Sequence, residues 1–201
     1  MILATVITCP QRWTQYQKLR CNFDDLQFPF PLRTFQNPEN LESPFVNNIL
    51  NARAAIQFAE RRLPDNNASW LLYLEDDVRL APEFPRFLPV LVDPGQREQV
   101  DCWYLCNRKN FSERRFAMEG MIVNHLSFPA KGSHALLLPH RHLRTILDAH
   151  WGDLSDQCIF RALGPTAKIW QIVHPVLVEH LGEISTFNPD VRQHLEINTC
   201  N

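Results

Sequence analysis

The stretch WLLYLEDDVRL, residues 70–80, places three consecutive acids directly behind five apolar residues. A short run that is apolar at every position is typical of a strand covered on both faces, as in the centre of an α/β sheet. Ligands of open α/β sheets bind beyond the carboxyl ends of the strands. Glu75, Asp76 and Asp77 therefore follow the strand at the place where such a fold is expected to have its site.

Three neighbouring carboxylates raise one another's pKa unless a cation or hydrogen-bond donors compensate them. Hard oxygen ligands suit Mg²⁺ or Mn²⁺, and such ions usually keep positions open for phosphate oxygens. The triplet therefore predicts a metal-assisted site for a nucleotide diphosphate. The alternative is a solvated acidic turn, in which Asp76 or Asp77 caps the next segment.

The composition is that of a soluble globular chain. Its 201 residues, 45% hydrophobic and 21% charged, suit one domain with a real core, and a net charge of −2 gives no global basic field for nucleic acid or anionic membranes. We expect no membrane span, no signal peptide and a cytoplasmic protein. Six scattered cysteines without a CxxC pair predict reduced thiols rather than a disulfide scaffold or a zinc ribbon.

Strand and helix patterns alternate along the chain and predict an α/β fold, mostly parallel in the first half and mixed in the second. The predicted strands are Ile2 to Thr8, Leu32 to Phe35, WLLYL, CWYLC, MIVNHLS, HALLLP and the strand-like KIWQIVHPVLVEH. The predicted helices are Trp13 to about Leu26, a helix from Ser43 and Pro44 to Leu63, a short irregular one up to Val92, one opened by Pro139, and one from Ser155 to Gly164.

Several stretches share one resemblance. WLLYLEDDVRLAPEF resembles the acidic metal motif of GT-A fold glycosyltransferases, and is closest to the LEDD form of bacterial lipopolysaccharide-type members. ATVITCPQR resembles the nucleotide-gripping first strand and loop of that superfamily, and NNILNARAAIQFA resembles its Asn- and Ala-containing helix. GSHALLLPHRHLRTIL resembles the strand and helix beneath the acceptor, and HPVLVEHLGEIST resembles the closing strand with a late histidine. Together these stretches cover most of the chain in the family's order.

The resemblance implies a single GT-A-like domain over residues 1–201, with a nucleotide-sugar-binding half at 1–80 and an acceptor-binding half at 81–201. It implies a metal-dependent glycosyltransferase that moves a sugar from a nucleotide sugar, such as a UDP-sugar, to an acceptor hydroxyl with Mn²⁺ or Mg²⁺. The chain is shorter than larger family members. The acceptor site is therefore expected to be shallow, completed by a second subunit, or formed by residues 107–116.

Residue by residue, the resemblance implies Asp77 as the direct metal ligand and His180 as a late ligand. Glu75 and Asp76 would contact the ribose or metal-bound waters. The donor pocket would be lined by Thr8, Pro10, Arg12 and, in preference to Arg53, Asn51. Two alternatives stay open: His180 as a hydrogen-bonded histidine at a strand end, and Arg12 as a surface arginine.

On the acceptor side, Asp156 is the expected base if the reaction inverts the sugar, with Asp153 as the second choice. Ser155 and Asp156 could equally be ordinary capping residues. Trp151 could stack on a sugar or belong to the core. Arg114 and Arg115 lie in a basic and aromatic segment that suits phosphates and exposed bases, so nucleic acid with hydroxymethylated bases, as in phage DNA, is an acceptor class beside glycans.

Two other classes of protein remain open. Adjacent carboxylates also hold the metals of phosphohydrolases and nucleases, although such a site needs further acids near the triplet. A non-catalytic module that binds nucleotides or glycans is the other class. The sequence does not separate retention from inversion at the anomeric carbon.

Overall fold

The computed structural model describes residues 1–36, 44–66, 68–93, 100–106, 115–126, 134–152 and 155–181. The strands are β1 (Ile2–Ile7), β2 (Leu32–Phe35), β3 (Trp70–Glu75), β4 (Val78–Leu80), β5 (Cys102–Tyr104), β6 (Arg115–Met118), β7 (Met121–Leu126), β8 (Ala135–Pro139), β9 (Ile169–His174) and β10 (Val178–His180). The helices are α1 (Trp13–Asp25), α2 (Pro44–Arg62), α3 (Phe84–Leu91), α4 (Leu143–Asp148) and α5 (Ser155–Leu163), with short 3-10 turns at Pro10–Arg12 and His140–His142.

Eight of the described strands form one mixed sheet in the order β2-β1-β3-β8-β5-β9-β7-β6. Strands β2, β1 and β3 are parallel to one another, whereas β8 runs antiparallel to both of its neighbours, β3 and β5. Strand β9 is parallel to β5, and β7 is antiparallel to β9. The prediction of an α/β fold, parallel in its first half and mixed in its second, is confirmed.

Strand β3 lies inside the sheet, as its apolar run predicts. Each residue from Trp70 to Leu74 is fully buried, and such a side chain stabilises the fold by roughly 1.5–3 kcal/mol. Helix α2 covers the neighbouring strands β1 and β2. The face of α2 that includes Ala52, Ile56 and Ala59 is fully buried, and its small alanines let the helix approach the sheet closely.

A second, two-stranded ribbon pairs β4 with β10 in antiparallel register. Asn22 of α1 holds β4 in place, because its amide accepts from Leu80 N–H at 2.8 Å and donates to Leu80 O at 3.2 Å. The sequence did not predict β4, and the single strand expected over residues 168–180 is divided into β9 and β10. Pro175 lies in the bend between them. Proline has no backbone N–H, and at a bend this breaks no hydrogen bond of the sheet.

Pro139 does not open a helix, contrary to the sequence prediction. It is the last residue of β8, with an extended backbone (φ −70°, ψ 144°), and the helix begins only at Leu143 after a 3-10 turn. The pyrrolidine ring fixes φ near this value in both strands and helices, so the apolar run before Pro139 decides in favour of the strand.

The described cysteines, all but Cys200, form no disulfide with one another. No helix in the described ranges combines the length and the apolar character needed to cross a membrane.

At the edge of the sheet where β5 begins, Asp101 joins three segments. Its carboxylate accepts from Lys168 N–H at 2.8 Å, lies 2.7 Å from His142 Nε2 and accepts from Arg141 at 3.2 Å. Burial alone would raise the pKa of Asp101, but these three partners outweigh it and lower the pKa below its ordinary value of 3.8. Asp101 therefore ties the start of β5 to the end of β8.

We expect Asp101→Asn to lower the free energy of unfolding at pH 7 by about 1–3 kcal/mol, because charge-assisted hydrogen bonds are lost. A lowered pKa in the folded state means that the ionised carboxylate contributes its stability above pH 3.8 and loses it as the pH falls through the folded pKa. In urea denaturation between pH 7 and pH 3, the free energy of unfolding of the variant should therefore fall less with decreasing pH than that of the parent. Identical pH dependence in the two proteins would contradict this role.

Candidate functional site

Three chain segments converge where β3 ends. Glu75 is the last residue of β3, and Asp76 and Asp77 form the turn into β4. Because β8 runs antiparallel to β3, its amino end lies beside Glu75, whose N–H donates to His134 O at 2.8 Å. The ribbon brings the end of β10 to the same point, and Leu181 N–H donates to Asp77 O at 2.8 Å.

Asp77, His134 and His180 form a group that could hold a metal ion, with one ligand atom of each residue within 4.8 Å of the others. His180 Nε2 lies 3.0 Å from Asp77 Oδ2, and neighbouring ligands on an octahedral ion with bonds of about 2.1 Å are themselves about 3 Å apart. The His134 and His180 rings stack with centroids 3.9 Å apart. Asp77 Oδ1 is buried and accepts no hydrogen bond from the residues that the structure describes. The donor set and the orphaned oxygen fit a divalent cation.

Arg12 supplies the positive charge beside the acids. It ends the 3-10 turn that follows β1, and its Nη2 lies 2.9 Å from Asp76 Oδ1 and also pairs with Asp77 Oδ2. The Arg12 side chain is only 11% exposed. Burial would lower its pKa, but Asp77 and Asp76 outweigh that effect and raise the pKa above its ordinary value. Arg12 is therefore a buried counter-ion and not a surface arginine.

The pKa values of the two aspartates are shifted in opposite directions. Burial raises the pKa of Asp76 to about 7, although Arg12 and a 2.6 Å hydrogen bond from Thr8 Oγ1 act in the opposite direction. Burial also acts to raise the pKa of Asp77, but the hydrogen bond from His180 and the charge of Arg12 prevail and lower it well below its ordinary range. Asp77 is thus the carboxylate that stays ionised, which is the form that binds a metal.

Two of the residues predicted for the donor pocket hold the loop after β1. Asn51 is buried, and its Nδ2 donates to Thr8 O at 2.9 Å. Arg53, the alternative on the same helix, is exposed and lies 6.0 Å from the centroid of the Trp151 ring. Helix α2 therefore directs Asn51, and not Arg53, toward the β1 loop. Pro10 opens the 3-10 turn of that loop and is exposed.

The residues predicted for the acceptor side are only partly described. Trp151 is partly buried, and its Nε1 donates to Ile146 O at 3.0 Å, so it packs at the end of α4. Asp156 lies in α5 and Arg115 begins β6, but the side chains of both lie outside the described part of the structure. Asp153 and Arg114 lie outside the described residues altogether. Asn48 Oδ1 accepts from Ser155 N–H at 3.2 Å and so caps the start of α5.

The sequence prediction missed His134. Its assignment of Glu75 to the ribose or to waters around the metal site stays a prediction, and in the structure Glu75 Oε2 lies 3.2 Å from His134 Nδ1. The one local signal is that His134 precedes the apolar strand ALLLP, and it locates His134 only once the pairing of that strand with β3 is known. A residue just before a strand that is antiparallel to β3 must lie at the carboxyl end of β3, beside the acids.

The whole chain is similar in structure to a glycosyltransferase involved in the glycosylation of the major capsid of PBCV-1. The two structures superpose with a TM-score of 0.56 over 98% of each chain, at 13% sequence identity. No family model matches the sequence, and no curated protein matches it. At this identity the likeness establishes a shared fold: the chain is an α/β protein with the same architecture as this neighbour.

Proposed function

We propose that this chain is a glycosyltransferase of GT-A type that moves a sugar from a nucleotide sugar to an acceptor hydroxyl with the help of Mn²⁺ or Mg²⁺. The observation that carries the proposal is the convergence of Asp77, His134 and His180 beside Arg12 at the carboxyl end of β3. That edge is where α/β sheets bind their ligands. The structural likeness to a viral glycosyltransferase supports the same class of reaction.

In this proposal Asp77, His134 and His180 hold the cation. When bound, the cation neutralises the charge that develops on the departing diphosphate. The guanidinium of Arg12 adds N–H donors in a fixed geometry beside the cation site, and this geometry suits phosphate oxygens. Thr8 and Asn51 keep the β1 loop in position, since Thr8 is hydrogen bonded both to Asp76 and to Asn51. The acids and Arg12 are thus oriented before the donor arrives.

The division into a donor half at 1–80 and an acceptor half at 81–201 is part of the proposal. The first half supplies Arg12 and Asp77, whereas His134 and His180 come from the second half. Asp156 as the base for an inverting reaction, and Trp151, Arg114 and Arg115 as acceptor contacts, belong to the same proposal. The acceptor is a glycan or a hydroxymethylated base in DNA.

The donor set argues against a phosphohydrolase or nuclease with two metals. Such sites hold two metal ions about 3.5–4 Å apart and need ligands for each of them. Within the described ranges, one group of three ligating side chains lies at the acids, and it contains a single carboxylate. The proposed chemistry therefore uses one cation.

The proposal is tested by a thermal-shift screen of nucleotide sugars with and without Mn²⁺. We expect a nucleotide sugar to raise the melting temperature only in the presence of Mn²⁺, and beyond the rise that Mn²⁺ gives alone, because a ligand at 100 times its Kd adds about 2.7 kcal/mol to the stability of the folded state. Slow release of free sugar from the stabilising donor would then show turnover. No shift with any nucleotide sugar would contradict the proposal, and binding without sugar release or transfer would indicate a non-catalytic module.

A further inference from the structure

We propose that Glu75 is a positioning residue that presents His134 to the metal, so that the first acid of the triplet acts through a histidine 59 positions later in the chain. The inference rests on the metal site of the proposed function. It gives Glu75 a role other than contact with the donor, and it makes His134, like His180, a direct metal ligand.

Backbone and side chain fix the pair together. Glu75 N–H donates to His134 O at 2.8 Å, and Glu75 Oε2 lies 3.2 Å from His134 Nδ1. The two side chains are 14% and 17% exposed. Because β3 and β8 share a continuous ladder up to Leu74 and Ala135, the position of His134 beside Glu75 follows from the sheet register. The pair is therefore held by rigid strands.

The contact determines which ring nitrogen can bind a metal. A neutral imidazole carries one N–H, and an ionised carboxylate accepts but does not donate, so Glu75 selects the tautomer with the proton on Nδ1. The lone pair is then on Nε2, which is the form that ligates. Histidines that bind metals commonly donate their other N–H to a carboxylate, which orients the ring and raises its basicity.

The resulting donor set has a consequence for the cation. Two imidazoles and one carboxylate suit transition-metal ions such as Mn²⁺ or Co²⁺, whereas Mg²⁺ prefers an octahedron of oxygen ligands. The His134 and His180 rings stack, so both imidazoles lie side by side at the candidate metal site. The site should therefore bind Mn²⁺ more tightly than Mg²⁺ in the absence of any nucleotide.

The test uses the full chain with metal alone. Mn²⁺ affinity is measured by calorimetry, and the number of bound imidazoles by pulsed electron paramagnetic resonance of the Mn²⁺ complex. We expect two imidazoles in the parent and one in His134→Gln. We expect Glu75→Ala to weaken Mn²⁺ binding by about 10–100-fold while both imidazoles stay bound. Glu75→Gln should lose less Mn²⁺ affinity, since its amide oxygen can still accept a hydrogen bond from His134 Nδ1–H.

Two matched controls are present in the chain. Glu179→Gln removes an acid next to His180 whose carboxylate pairs with the exposed Arg79, and His142→Gln removes a carboxylate-bound imidazole at the far end of β8. Neither should change Mn²⁺ affinity or the imidazole count. Melting temperatures without metal show whether each variant is folded.

Parent-like Mn²⁺ affinity in Glu75→Ala, or two imidazoles in His134→Gln, would overturn the proposal. Equal losses in Glu75→Gln and Glu75→Ala would also overturn it, because they would mean that Glu75 acts by charge or direct ligation. These measurements contain no nucleotide sugar. If they succeed while the nucleotide-sugar screen fails, the metal site stands and the glycosyltransferase proposal falls. If the parent binds no Mn²⁺ but a donor binds without metal, the metal site and the role of Glu75 fall, and only the nucleotide-sugar part of the proposed function stands.

Discussion

Asp77→Asn is expected to abolish metal-dependent binding of the donor diphosphate while leaving the chain folded. Asp77 is the carboxylate of the candidate metal group, its pKa is lowered, and its buried Oδ1 has no hydrogen-bond partner in the described part of the chain. An amide is nearly isosteric but supplies no negative charge to a cation. Loss of a residue that hydrogen bonds to a metal ligand already weakens metal binding by about 10–100-fold. Loss of a direct ligand should therefore weaken it by about 100-fold or more. Calorimetry with Mn²⁺, and with UDP in the presence of Mn²⁺, measures both losses.

The fold should survive this substitution because Asp77 lies in the turn after β3, beyond the fully buried run of Trp70 to Leu74. Arg12 also keeps its second partner, Asp76, at 2.9 Å. Circular dichroism and the melting temperature without metal check this point. The matched control is Glu179→Gln, which removes a half-buried acid from the same ribbon. Unchanged Mn²⁺-dependent UDP binding in folded Asp77→Asn would refute the central claim about the site.

The sequence was sufficient to place the acids because their position depends on local pattern alone. A continuously apolar run such as WLLYL can only be a buried element, and the charges after it can only lie at its end. The same reasoning predicted α2, since its apolar and alanine positions repeat with helical spacing. Parallel pairing of β1, β2 and β3 followed from the alternation of strands with helices.

The role of His134 could not be predicted in this way, because it depends on which strand neighbours β3. Strand β8 enters the sheet between β3 and β5 and runs antiparallel to both. Its apolar sequence, ALLLP, is that of a buried strand. It shows neither the direction of the strand in the sheet nor which strands lie beside it. Only the long-range pairing decides that its amino end, and therefore His134, meets the acids.

The ribbon that positions His180 was hidden for another reason. Strands β4 and β10 have three residues each, which is too short for an alternating pattern to be recognised. Their stability comes from partners distant in the chain, including the bond of Asn22 to Leu80. The resemblance to a known family supplied His180 as a candidate, whereas local pattern did not.

Arg12 was left between a surface role and a donor contact, because a loop sequence does not reveal burial. The structure instead places it against two carboxylates whose side chains are 2% and 8% exposed. A buried carboxylate pair without a counter-ion is costly, so Arg12 is part of the stability of the site as well as a candidate for diphosphate binding. Its substitution is therefore expected to lower both the stability of the metal-free protein and the affinity for UDP.

We expect Arg12→Gln to lower the free energy of unfolding without metal by about 3–5 kcal/mol, the cost of removing one partner from a buried ion pair. Mn²⁺ should then stabilise the variant more than it stabilises the parent. In the parent the guanidinium pairs with Asp77 Oδ2, an atom of the candidate metal group, and so competes with the cation for that charge. Affinity for UDP in the presence of Mn²⁺ should nevertheless fall, because a donor to the phosphates is lost.

Urea denaturation with and without Mn²⁺, and calorimetry with UDP, separate these effects. Arg79→Gln is the matched control, since Arg79 forms an exposed ion pair with Glu179 on the ribbon, and surface pairs contribute only about 0–1 kcal/mol. If Arg12→Gln proved as stable as Arg79→Gln, Arg12 would not be the counter-ion of the acids. If its gain from Mn²⁺ did not exceed that of the parent, arginine and metal would not compete for Asp77, and the cation would have to bind away from the Arg12 side of that carboxylate.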